Sequence, residues 1–198
     1  MNTQSTIAAL IGSRICHDLI SPLGAIGNGV ELLGMAGSVD GPEMALISES
    51  VASANARIRF FRIAFGASGP GAMVGLSEIT SILHDMGKAG RVQYDWNSEN
   101  SLPRQDVKLA FLLIQCFESA MAFGGTVKVR QGADGWRLDC SSDKLLIDPE
   151  KWEMLVAPVP NADLSPSDVH FALVPDAAQQ AGRSLKTDLR EGTIALSF

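Results

Sequence analysis

Cysteine is scarce in this 198-residue chain, and Cys16, Cys116 and Cys140 are odd in number, far apart and set among apolar neighbours. Such a set suggests neither a disulfide framework nor a zinc site, and all three are expected to be buried thiols. Long apolar runs are missing as well. No stretch reaches the length that spans a bilayer, and the N-terminus lacks the basic-then-apolar layout of a signal peptide. A cytoplasmic protein without a membrane partner is expected. Basic runs are absent too, and the net charge is −6, which leaves little to release counterions from a phosphate backbone. No direct nucleic-acid partner is expected. What is present, 46% hydrophobic and 19% charged residues, is the composition of a globular chain with room for one or two small domains.

The segment Arg14-Ile15-Cys16-His17-Asp18-Leu19-Ile20-Ser21-Pro22-Leu23 places a His-Asp pair inside a helical pattern, with a proline five residues after the histidine. Winding Ile7 to Leu33 at 3.6 residues per turn gathers Ser13, Arg14, His17, Asp18, Ser21, Gly24, Ala25, Asn28 and Glu31 on an arc of roughly 140°. Ile11, Ile15, Leu19, Pro22, Leu23, Ile26, Val30 and Leu33 fill most of the remainder. His17 therefore lies among polar neighbours on the solvent side, where a core histidine would not be. Pro22 removes one helical hydrogen bond and favours a kink one turn beyond His17.

Glycine, aspartate and proline between Gly34 and Pro42 stop this helix and start another. In the second, Ile47, Val51, Ala54, Ile58, Phe61 and Phe65 form a narrow apolar seam, while Glu49, Ser53, Asn55, Arg57, Arg59 and Arg62 occupy the other faces. The short connection makes the helices antiparallel, which brings the stretch Arg59 to Arg62 level with His17. The apolar arc of the first helix is wider than one partner can cover. Another copy of the chain, completing a two-fold four-helix bundle, is the simplest cover, so a homodimer is expected. Folding of the hairpin against the C-terminal half is the alternative.

Gly66-Ala67-Ser68-Gly69-Pro70-Gly71 then marks a domain boundary, dividing residues 1–68 from 74–198. Beyond it the pattern predicts a helix from Leu76 to Lys88, a strand from Arg91 to Trp96, and a long helix from Pro103 to Phe123 ending at Gly124-Gly125. Strands Thr126 to Arg130 and Trp136 to Ser141 follow, joined through Asp134-Gly135 as a hairpin. A short helix from Pro149 to Val156, another from Ser165 to Ala181, and a strand pair Ser184 to Leu189 and Thr193 to Phe198 complete the chain. The expected fold class is α+β: a helical hairpin followed by an α/β sandwich with helices on one face of a mixed sheet.

A hairpin bearing His-Asp-Leu-x-x-Pro-Leu, a glycine-rich linker and an α/β domain of this order resemble the sensor histidine kinases over nearly the whole chain. The likeness implies a four-helix bundle on dimerisation and a histidine-kinase-ATPase-like sandwich. It fails at the nucleotide motifs. Where those kinases place two asparagines one turn apart on the long helix, one of them for Mg²⁺, this chain has Gln115 and Ser119. No Asp-x-Gly-x-Gly lies between Ser141 and Lys151, and Pro166 to Val174 holds no glycine to free backbone amides for a phosphate. The closing pattern of Ala181-Gly182, Lys186 to Arg190, Gly192-Thr193 and Ile194 to Phe198 does resemble the end of the kinase domain.

A kept framework without the ATP site is similar to the ChpT-type histidine phosphotransferases, dimeric proteins of bacterial cell-cycle phosphorelays with a degenerate ATPase-like domain. The run Ser13 to Ile26, continued by Asn28-Gly29-Val30-Glu31-Leu32-Leu33, is close to that family's phosphorylation helix. The resemblance implies a cytoplasmic phosphotransferase without autokinase activity. His17 would accept a phosphoryl group from the receiver domain of an upstream hybrid histidine kinase and pass it to downstream response regulators. No cofactor is expected in this chain, neither ATP nor metal, since the receiver's acidic pocket would supply Mg²⁺.

The side chains suit that chemistry. A neutral imidazole is a nucleophile at cytoplasmic pH, and Asp18 beside it can orient the ring and accept its other N–H. Arg14 and Ser21, one turn either side of His17, can bond phosphoryl oxygens. Gly24 and Asn28 continue the same face toward a docking receiver, and Arg57, Arg59 and Arg62, near the level of His17, can steer its acidic surface. Three rivals stand beside this reading. One is a non-catalytic dimeric scaffold binding receivers, and a second is an ATP-dependent kinase with an unusual site. The third is a His-Asp metal phosphohydrolase built from His17-Asp18, His84-Asp85 and His170.

Overall fold

In the computed structural model the described residues are 3–36, 41–67, 69–133, 135–156, 164–190 and 192–198. The middle of the expected first break, part of the glycine-rich linker and Asp134 of the expected hairpin turn lie outside them.

Helix α1 runs from Thr3 to Ala36 and passes through Pro22 without ending. Helix α2, Pro42–Ala64, starts with its proline in the first turn, where the missing N–H costs nothing. The two pack side by side through a close contact at Gly29. A Cβ there would come within 2.5 Å of Ile47 Cγ1, so the absent side chain is what lets the helices approach.

The remaining elements are β1 (Met73–Gly75), α3 (Leu76–Ala89), β2 (Val92–Asn97), β3 (Ser101–Pro103), α4 (Arg104–Ala120), β4 (Gly125–Gly132) and β5 (Gly135–Ser141). A short α5 (Pro149–Glu153) and a 3₁₀ turn at Pro166–Asp168 lead to α6 (Val169–Gln180), β6 (Lys186–Arg190) and β7 (Thr193–Ser197). Five strands form a mixed sheet in the order β2-β4-β5-β7-β6, parallel only between β2 and β4. The fold class is α+β. β1 and β3 pair antiparallel in a separate two-stranded sheet that sequence periodicity does not reveal, because three residues are too few to alternate.

Register explains why one face of the large sheet is dry. Val127 pairs with Cys140 and Val129 with Leu138, and these continue into Ile194 and Leu196 of β7. All six are buried, whereas Lys128 and Arg137 on the other face are exposed. Against the dry face lies α4, buried all round from Leu109 to Phe117, which requires cover on every side. The sheet provides one side and α2, α5 and α6 the others, through stacks such as Phe60 on Phe111 at 4.6 Å and Phe117 on Trp152 at 6.1 Å.

α4 is shorter than the expected Pro103 to Phe123. It stops at Ala120 because Gly124 and Gly125, with φ of 92° and 147°, carry the chain past the Arg91 and Ser141 carbonyls at distances no Cβ tolerates. The start of the expected Ser165 to Ala181 helix is instead the 3₁₀ turn.

The hairpin and the rest share one core. Phe60, Phe61, Ile63 and Ala64 at the end of α2 belong to the same buried cluster as the sheet residues, and Ile15 of α1 packs against it. Lys108 Nζ donates to the Gly66 carbonyl at 3.0 Å and Arg104 Nη2 to that of Arg62 at 2.7 Å, bridging the joint where the boundary was expected.

Candidate functional site

His17 and Asp18 are one helical step apart, a rotation of about 100° that sends their side chains to different environments. The His17 side chain is 80% exposed, while that of Asp18 is 9% exposed and turned toward α2. His17 Nδ1 lies 3.1 Å from Asp18 Oδ1. An ionised carboxylate only accepts, so Nδ1 carries the proton in this contact and Nε2 is left with a free lone pair facing solvent.

The other carboxylate oxygen, Oδ2, is held by two guanidiniums. Arg14 Nε donates to it at 3.0 Å from the preceding turn of α1, and Arg57 Nη1 approaches it at 3.6 Å from α2. Two cations and an N–H compensate a carboxylate that water scarcely reaches.

Pro22, buried one turn on, has no N–H to give the Asp18 carbonyl, its partner four residues back. Beside it lies an open groove of about 630 Å³ lined by Asp18, Ser21, Pro22, Arg57, Asp85 and Lys88, so α1, α2 and α3 all border it. Ser21, Gly24 and Asn28 are exposed along the same face of α1, and a Cβ on Gly24 would meet nothing within 4 Å.

The three arginines expected near the level of His17 take different partners. Arg57 approaches Asp18 Oδ2, whereas Arg59 donates to Asp85 Oδ2 at 3.1 Å and Ser81 Oγ at 3.2 Å, and Arg62 to Glu78 Oε1 at 2.6 Å. Both of the latter are tied to α3. Two residues along a helix is about 200° of rotation, which is why Arg57 and Arg59, at nearly the same level, meet different partners. Arg14 is also committed: beyond Asp18, its Nη1 donates to the Ser167 carbonyl at 2.6 Å. As the chain folds, Arg14 is an anchor, and turning to a phosphoryl group would cost it both bonds. Cys16 corrects another expectation, since it is exposed while Cys116 and Cys140 are buried.

Behind Asp18, on α4 and β2, lie groups that the sequence did not single out. The Tyr94 hydroxyl donates to Glu118 Oε1. Burial raises the Glu118 carboxyl above the ordinary range, while the Tyr94 hydroxyl and then the Arg57 and Arg14 guanidiniums draw it down. Burial, then the negative charge of Glu118, raises the Tyr94 hydroxyl as well. One charge cluster thus extends from His17 through Asp18 and Arg57 to α4.

One turn earlier on α4, Gln115 is buried, and its Oε1 has no partner among the described residues. Ser119 Oγ donates to the Gln115 carbonyl at 3.1 Å and meets His170 Nε2 at 3.1 Å. His170 itself is completely buried on α6, and burial, reinforced by the charges of Arg14 and Lys151, pushes its ring pKa down to about 3. A buried imidazole thus packs on Ser119, at one of the two places the sequence compared with the kinases' asparagines. His84 is exposed near the end of α3, and no group of three or more His, Cys, Asp or Glu side chains converges as a metal site among the described residues. No helix there is long and apolar enough to cross a membrane.

A family model for the histidine phosphotransferase C-terminal domain matches residues 76–193. The protein phosphotransferase ChpT of Brucella abortus (strain 2308) is 39% identical over 131 residues, which is 65% of this chain and 62% of that protein, so the match spans less than two thirds of the relative's length. The solved structure of a bacterial phosphotransferase superposes over 100% of this chain and 97% of its own, with a TM-score of 0.82 and 30% identity.

Proposed function

The chain belongs to the histidine phosphotransferase family, and from that membership we propose that it relays phosphoryl groups between receiver domains through His17. The observation that carries the reading is the division of labour around Asp18: one oxygen on His17 Nδ1, the other on two guanidiniums, and Nε2 left open to solvent.

In the forward step the Nε2 lone pair attacks the phosphorus of a receiver's aspartyl phosphate. The P–O bond to that aspartate breaks, and its electron pair leaves with the receiver's carboxylate. The imidazole keeps its Nδ1–H, whose bond to Asp18 strengthens as positive charge develops on the ring. Transfer to a second receiver runs the same step backward. Divalent metal in the receiver's own acidic pocket supplies charge neutralisation at the phosphoryl oxygens, and the transition state is loose, so this chain contributes mainly position. Ser21, Gly24 and Asn28 form the face on which the receiver lies, with Arg59 and Arg62 at its α3 side and the open groove beside it.

In this reading the donor is a protein, which the burial of His170 against Ser119 on α4 supports. We read residues 74–198 as a degenerate ATPase-like sandwich joined to a phosphotransfer hairpin at 1–68. Its partners are the receiver of an upstream hybrid histidine kinase and downstream response regulators in the cytoplasm. The hairpin works as a homodimeric four-helix bundle. Leu23 and Val30, seven residues apart on α1, are 58% and 56% exposed, and Val51 and Ile58 repeat that spacing on α2 at 41% and 50%. Cys16 lies on the Leu23 and Val30 stripe, which a second copy would bury.

Incubation with a phosphorylated receiver, and separately with labelled ATP, tests the proposal. Label is expected on the chain from the receiver alone and to vanish in His17→Ala. Label from ATP alone contradicts it.

A further inference from the structure

We propose that Arg14 and Arg57 are positioning residues that hold Asp18 by Oδ2 so that Oδ1 fixes the His17 ring, and that the C-terminal part of the chain anchors the Arg14 guanidinium. The inference rests on His17 being the phosphoryl acceptor.

Asp18 Oδ2 receives Arg14 Nε at 3.0 Å and faces Arg57 Nη1 at 3.6 Å, while Oδ1 alone meets His17. Without the two cations, the Asp18 side chain has two torsions free and no reason to keep Oδ1 on the ring. Arg14 is not held by the hairpin alone. Arg14 Nη1 donates to the Ser167 carbonyl at 2.6 Å, in the 3₁₀ turn that opens α6.

The hairpin therefore carries the acceptor, and the 3₁₀ turn before α6 holds one of the cations behind it. The C-terminal part thereby has a task at the phosphorylation site. Arg57→Lys retains a charge near Oδ2, whereas Arg57→Ala and Arg14→Ala each remove one of its two cations.

The test uses the full chain with ¹⁵N-labelled histidine at about pH 8, where an ordinary imidazole is neutral. The His17 ring resonances are assigned by their loss in His17→Ala. The wild type is expected to show the Nδ1–H tautomer, and Arg14→Ala and Arg57→Ala to mix tautomers as Asp18→Asn does. Acceptance of label from a phosphorylated receiver is expected to slow by about tenfold in each, by analogy with groups that orient a reactive side chain from behind, and Arg57→Lys to recover most of both signals.

A folded Arg57→Ala chain that keeps the wild-type tautomer overturns the proposal. Slower transfer with an unchanged tautomer overturns it too, because the arginines would then be direct phosphoryl ligands. Should Arg57→Ala not fold, Arg57→Gln keeps most of the stem and carries the same comparison. The ring signals need no phosphoryl donor, so a wild-type chain that accepts no label contradicts the relay and leaves the tautomer result to decide the positioning.

Discussion

His17 Nδ1 and Asp18 Oδ1 meet at 3.1 Å although the first side chain is 80% exposed and the second 9%. The pair joins an open nucleophile to a carboxylate fixed inside the protein, and the open atom is Nε2.

Asp18→Asn keeps the shape and removes the charge, leaving two guanidiniums without their shared partner and an amide free to present either atom to the ring. Phosphoryl acceptance by His17 is expected to fall by about 10–100-fold, the range for groups that orient a reactive side chain. Rapid-quench transfer from a labelled receiver measures it, and a rate within twofold of wild type would remove Asp18 from the mechanism.

Leu23 and Val30 stand exposed on one stripe of α1. A charge at a bundle seam is unfavourable on both copies at once. Sedimentation of the wild type is expected to give twice the 21.0 kDa chain mass, and Leu23→Asp with Val30→Asp to give the single-chain mass with an unchanged helical signal. A monomeric wild type contradicts the bundle.

His170 is buried and neutral, with its ring pKa pushed down from 6.5 to about 3. Unfolded, the same ring protonates as pH falls through 6.5, so the unfolded state then binds the extra proton and stability drops. The contribution is whole above about pH 6.5 and is lost at up to about 1.4 kcal/mol per unit as pH falls toward 3. His170→Leu cannot titrate. Denaturant melts at pH 7 and pH 5 should show the wild type losing more stability than the variant over that interval, and equal losses would place His170 in contact with water.

Asp106, in the first turn of α4, is buried and takes both Arg183 Nε at 3.1 Å and Nη2 at 2.7 Å, with Trp136 Nε1 at 3.3 Å. Arg183→Ala strands that carboxylate. With the arginine side partly open to solvent, unfolding free energy should fall by about 2–3 kcal/mol. Chemical denaturation followed by tryptophan fluorescence reads the loss, and a variant as stable as wild type would show that the pair contributes no net stability.

The acceptor face of α1 was legible in the sequence because it is local: helical period alone puts His17, Ser21, Gly24 and Asn28 outward. That Arg57, Arg59 and Arg62 come near the level of His17 was legible too, but which of them meets Asp18 was not, since that depends on the packing of α2 against α1. Cys16 follows Ile15 and looks apolar, yet it sits on the stripe of Leu23 and Val30, which is exposed in the single chain. Tyr94 and Glu118 carry no signal at all, being neighbours only after β2 and α4 come together. The absence of glycine near His170 was visible, but that its ring meets Ser119 required α6 to pack on α4. β1 and β3 are too short to show a period.

The central claim is that His17 takes phosphoryl groups from a protein donor on the nitrogen that Asp18 leaves free. Phosphorus NMR of the chain, after incubation with a receiver charged on its aspartate and no ATP, measures both parts at once. The account predicts an Nε2-phosphohistidine at position 17 that is absent from His17→Ala. An Nδ1-phosphohistidine, or a phosphohistidine that forms only when ATP is added, would contradict it.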